Sequence, residues 1–209
     1  MIEALRSGGF MMLPLLLCSI AAMTIILERI WLLRRTRVAP PEVIPRIWDR
    51  ARTQQLDPTE LRLIKTSSPL GNVLATVLSN RHLGRDGMKE SAEQAGRRVV
   101  HDLEKHLDTL GTIASVSPYL GLLGSVLGMI KVFSAFSAEA QIADPARLAG
   151  GISEILISTA AGLAVAIPSL IFYRYFQRKI SELTIQLEEE AVTLIDALPA
   201  LSLSEGSRR

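Results

Sequence analysis

The chain has a single cysteine, Cys18, in 209 residues, so no internal disulfide can form and the fold must do without one. Histidine is almost as scarce. His82, His101 and His106 all lie between the first two apolar runs, and His101 and His106 are five positions apart, which puts them on different sides of a helix. No metal site and no cofactor is expected. The sequence also lacks a phosphate-cradling glycine loop, a paired-cysteine motif and a serine–histidine–acid arrangement, so it does not read as an enzyme. The 23 basic and 21 acidic residues nearly cancel, to a net charge of +2, and no nucleic-acid partner is expected.

What the chain has is apolar residues in long blocks. Its mean hydropathy of +0.29 is only suggestive, and grouping is the stronger signal. Residues 10–27 (FMMLPLLLCSIAAMTIIL), 110–130 and 155–173 are free of charge for 18, 21 and 19 residues. A helix needs about 20 such residues to cross the hydrocarbon of a bilayer. Three spans are therefore predicted, over 10–33, 110–134 and 150–173, giving an all-α integral membrane protein. The first run is read as a retained span. Arg29, Arg34, Arg35 and Arg37 follow it, while only Arg6 against Glu3 precedes it, the reverse of a signal peptide. Leu17 before Cys18 likewise argues against a lipoprotein site.

Basic residues near span ends tend to stay in the cytoplasm. Arg34, Arg35 and Arg37, then Arg97, Arg98 and Lys105, then Arg174, Arg178 and Lys179 all fall on one side. This predicts a periplasmic amino terminus (1–9), a cytosolic region (34–109), a periplasmic loop (135–149) and a cytosolic tail (174–209). Lys131 departs from the rule and is expected to snorkel to the interface. In the cytosolic region, Asp57, Pro58 and Glu60 have the pattern of a capped helix start. Met88, Ala92, Ala95, Val99, Leu103, Leu107 and Leu110 recur at helical spacing and lead directly into span two. Ile180, Leu183, Leu187, Ala191, Leu194 and Leu198 do the same beyond span three. Both spans are expected to extend as long helices into a cytosolic helical bundle.

Spans two and three carry small residues four apart: Gly121 and Ser125, Gly124 and Gly128, then Ser158, Gly162 and Ala166. Such ladders let helix backbones approach closely, and here they are expected to leave small faces that one subunit cannot cover alone. Span one is mostly bulky and is expected to face lipid. Pro118 and Pro168 each remove one helical amide donor and free the carbonyls of Ala114 and Ala164, which predicts kinks.

One carboxylate, Glu154, stands in the third oily run. A charge at mid-membrane costs about 2.5–3.5 kcal/mol on insertion scales and marks a protein interior or a water path. Asp144 and Pro145 read as a helix cap and first position, which would set Glu154 in the third turn rather than at the interface. At 100° per residue, Ser158 is its nearest hydroxyl neighbour and Thr159 lies farther round; Glu154, Ser125, Ser158 and Thr159 are expected to form a proton pathway, the hydroxyls bonding the carboxyl group or water beside it.

The segments TIASVSPYLGLLGSVLGMIKVF (112–133) and GGISEILISTAAGLAVAIPSLIFYRYF (150–176) closely resemble spans two and three of the ExbB/TolQ family of proton-channel proteins. The likeness is nearer to ExbB through SVSPYLGLLG and covers the whole chain in span order. The related flagellar stator subunit has four spans and fits less well. The resemblance implies a pentamer of this chain around the single helices of an ExbD-like partner, in the bacterial inner membrane. It implies proton flow that energises a TonB-like protein acting on outer-membrane transport. It places the family's membrane glutamate on Glu154 and its pore threonines on Ser125, a serine in place of threonine, and Thr159. A TolQ-like role in envelope maintenance and a non-conducting membrane scaffold are the alternatives.

Overall fold

The computed structural model describes residues 10–53, 58–138 and 145–206. Among these every regular element is a helix, and three are long and apolar enough to cross a membrane. In chain order they are α1 (Met12–Leu32), a short α2 (Arg35–Val38), α3 (Val43–Thr53), α4 (Pro58–Ser67), α5 (Pro69–Ser79), a 3₁₀ turn (Arg81–Leu83), α6 (Gly84–Glu104), α7 (Leu107–Ala138) and α8 (Pro145–Gly206). Pro58 and Pro145 open their helices, as their fixed φ suits a first position. The caps expected from Asp57 and Asp144 lie outside the described residues.

The chain divides into two compact units. One comprises residues 1–28 with 106–175, the other 29–105 with 176–209. In the second, α5 is the innermost helix. Ser68 caps it, its Oγ accepting from the Gly71 amide at 3.0 Å, and Pro69 follows at the first position. Leu70, Val73, Leu74, Val77 and Leu78 are all buried, each contributing about 1.5–3 kcal/mol. Gly71 has to be glycine, because a Cβ there would stand 2.3 Å from the Ile64 carbonyl oxygen. At eleven residues α5 is apolar but too short to span a bilayer.

The stripe from Met88 to Leu110 is buried throughout, as is that from Ile180 to Leu194; Leu198 is only half-buried. Span three continues outward as one helix of 62 residues. Span two does not. Between α6 and α7 the chain leaves helical geometry at Lys105 (φ −48°, ψ 137°) and His106 (φ 66°), so the expected continuous helix is two helices joined by two residues. Positive φ is uncommon outside glycine, though histidine is among the residues that tolerate it. His106 Nδ1 lies 3.2 Å from Glu28 Oε2.

Within the second unit, Arg29 is 1% exposed, and its guanidinium donates to the Leu103 carbonyl at 2.8 Å. That carbonyl belongs to the last turn of α6, where a helix leaves acceptors open. Arg85 donates twice to Asp196 Oδ1, at 2.8 and 3.1 Å. The bond and the charge of Asp196 raise the guanidinium pKa above its ordinary value, but the pair is exposed and salt will screen it.

Candidate functional site

The membrane unit is built on the approach of α7 to α8. A Cβ on Gly162 would meet the Ser117 carbonyl oxygen at 2.7 Å and the Gly121 Cα at 2.9 Å; one on Gly121 would meet the Ser158 carbonyl oxygen at 2.9 Å. Gly124 faces the Ser158 hydroxyl, and a Cβ on Gly128 would stand 2.8 Å from Ile155 Cγ1. The small-residue ladders are thus consumed in packing two spans of one chain together. The expectation that they leave small faces for a second subunit is corrected, because each backbone is already at the other's surface. Both helices run unbroken through Pro118 and Pro168. Beside them Ser117 donates to the Ile113 carbonyl and Ser169 to the Val165 carbonyl, each at 2.7 Å.

Span one exposes bulky side chains as expected, Leu13, Leu17, Ile20, Met23 and Leu27 among them. Its other face, with Leu15, Ala22, Ile25 and Ile26, is buried.

Of the sequence-predicted polar residues, Ser125 and Thr159 are brought together, hydroxyl to hydroxyl. The Ser125 Oγ also lies 3.0 Å from the Ile155 carbonyl and 3.1 Å from that of Gly121, and Thr159 Oγ1 lies 3.2 Å from the Ile155 carbonyl. One hydroxyl proton on Ser125 therefore has three acceptors within reach. Ser158 is fully buried and donates to the Gly121 carbonyl at a long 3.4 Å. It sits in the backbone contact and shares the Gly121 carbonyl with Ser125.

Glu154 lies in the third turn of α8, half-buried, and its partner is Lys131 near the end of α7, with Nζ 3.1 Å from Oε1. No hydrogen bond joins Glu154 to Ser125, Ser158 or Thr159 among the described residues. The connection is through the backbone, since the carbonyl that both hydroxyls approach belongs to the next residue, Ile155. Lys131 is the residue that sequence reasoning missed. Its breach of the charge rule was the available signal, because a lysine at a span end has reason to be there when a carboxylate faces it.

Three apolar helices, with the second and third locked by glycine and a hydroxyl pair between them, define a polytopic helical membrane protein with a polar seam. The chain belongs to the MotA/TolQ/ExbB proton channel family, whose model matches residues 65–189, from α4 through both inner spans into the long extension of α8. It is 31% identical over 176 residues to biopolymer transport protein ExbB-like 1 of Synechocystis sp., an alignment covering 83% of this chain and 69% of that one. It is 36% identical over 102 residues to the biopolymer transport protein ExbB of Aquifex aeolicus, covering 49% and 68%. It is 39% identical over 95 residues to the Tol-Pal system protein TolQ of Haemophilus influenzae, covering 46% and 41%. The family implied by the quoted segments is the family found.

Proposed function

We propose that this chain is the proton-conducting subunit of an ExbB–ExbD–TonB-type motor of the bacterial inner membrane, which turns proton motive force into work on outer-membrane transport. Five copies surround the single-span helices of an ExbD-like partner, with amino termini in the periplasm and carboxyl termini in the cytoplasm. The observation that carries this reading is the polar seam: Ser125 and Thr159 meet across spans two and three on the carbonyl next to Glu154.

Glu154 is the group that takes up and gives up the proton. Its carboxylate form attracts Lys131, 3.1 Å away; a proton taken up removes that attraction and frees both side chains. Ser125 and Thr159, each both donor and acceptor, carry the proton onward through water that bridges them to the carboxyl group, since neither hydroxyl touches Glu154 itself. Ser158, closed against the Gly121 carbonyl, keeps the spans at the separation that relay needs. Each proton moving down the potential yields about 2.3 kcal/mol per 100 mV, which repeated steps can convert into rearrangement of a packed helix bundle.

Glu154→Gln keeps the size of the side chain and removes its titration. It is expected to assemble normally and to abolish gradient-dependent nutrient uptake in cells, while Glu154→Asp retains part of it. Normal uptake by a well-assembled Glu154→Gln protein would sink the proposal and leave the carboxylate as a structural contact. A TolQ-like role is the second reading, favoured by the TolQ relative. Rescue of envelope integrity without rescue of uptake selects it.

A further inference from the structure

Immediately after span one, the second unit contains a cavity of about 650 Å³ whose rim begins at Leu32, the last residue of α1. Two cations line it, Arg37 and Lys65, together with the side chains of Thr36, Ser68 and Asn72, and one acid, Asp102. The Arg37 guanidinium is held over the Trp31 ring, 3.3 Å from the centroid. Stacking fixes its plane while leaving its N–H edge free to donate. Lys65 has no ion-pair partner among the described residues. Val38, Val99 and Leu103 form an apolar floor, each at most 4% exposed. Arg34 and Arg35 add positive charge on the adjoining turn and are exposed.

We propose that this cavity binds the phosphate of a membrane phospholipid headgroup from the leaflet in which span one ends. Arg37 supplies a planar donor edge to the phosphate oxygens and Lys65 a point charge, as the two cation types do for phosphate in general. The uncharged donors Thr36, Ser68 and Asn72 complete the shell, and the apolar floor receives the glycerol end. A tryptophan at the end of an apolar helix lies at headgroup depth, and Trp31 carries Arg37 with it. That placement favours a lipid over a free phosphate ester of the same chemistry. Cation-lined pockets beside membrane helices commonly hold anionic headgroups.

The test is native mass spectrometry of the full chain in mild detergent, titrated with phosphatidylglycerol, beside the same titration of Arg37→Gln/Lys65→Gln and of Arg98→Gln. Arg98 is basic and exposed but outside the cavity. Each cation removed is expected to weaken lipid retention about five-fold, roughly 25-fold for the pair, with Arg98→Gln matching the wild type. Equal retention by the double variant overturns the proposal. So does displacement of the lipid by glycerol 3-phosphate at equal concentration, which would make the cavity a soluble-phosphate site. If the double variant melts early, Lys65→Gln, which alters only an exposed side chain, carries the test alone with its five-fold loss.

Discussion

Replacing Gly162 by alanine puts a methyl carbon 2.7 Å from one backbone oxygen and within about 3 Å of the Gly121 backbone. None of these atoms can rotate away, so the helices must separate. Overpacking of that kind costs about 1–3 kcal/mol, and the better helix propensity of alanine returns about 0.5–1 kcal/mol. The net loss lies between about 0 and 2.5 kcal/mol, with a midpoint near 1 kcal/mol that for a chain of this size lowers Tm by roughly 2–4 °C. Gly96 gives the opposite sign. It lies inside α6 with nothing within 4 Å of an added Cβ, so Gly96→Ala should gain the propensity term alone and raise Tm by a degree or more. The assay is thermal unfolding of the purified full chain in one detergent, all variants measured side by side. A Gly162→Ala protein stabilised as Gly96→Ala is would refute the close packing of α7 on α8 and, with it, the geometry of the polar seam.

Arg29→Met removes a charged donor from a buried carbonyl and should cost about 1–3 kcal/mol in the same melt, while Arg98→Met, on the surface, stays within about 0.5 kcal/mol. Lys131→Gln deprives Glu154 of its ion-pair partner and should reduce gradient-driven uptake while leaving assembly unchanged; unaltered uptake would show that the ion pair plays no part in coupling. Reporters fused after Arg209 or near Asp57 should be cytoplasmic and one in the 137–147 loop periplasmic; an externally accessible Asp57 would overturn the orientation.

The three spans were legible because nothing in a charge-free run of 18 to 21 residues competes with the bilayer reading, and the two apolar stripes from Met88 and from Ile180 because burial imposes the helical period directly. The break at Lys105–His106 was hidden for the same reason. The apolar stripe passes from Leu103 to Leu107 and Leu110 in register, and neither glycine nor proline marks the change. The ladders showed that backbones come close but could not say whose, since a glycine four residues from a serine looks the same at a contact within a chain and between chains. On the wheel, Ser158 was the nearest hydroxyl to Glu154, but a wheel sees one helix. The partner is Lys131 on the preceding span, and Ser158 is taken up by the Gly121 carbonyl. Arg29 looked like one more cytosolic-side arginine. Only the course of α6 reveals the carbonyl that holds it buried.

The central claim is that a proton passes by way of Glu154, and the most direct measurement is proton flux. The chain, assembled with the single-span partner proposed for it, is placed in liposomes, a potential of about 100 mV is imposed, and acidification is followed with a trapped dye. Wild-type complex should conduct, while Glu154→Gln complex of the same stoichiometry should show the leak of empty vesicles. Equal flux through both would contradict the account, because the proton would then be crossing by a route that does not need the carboxyl group.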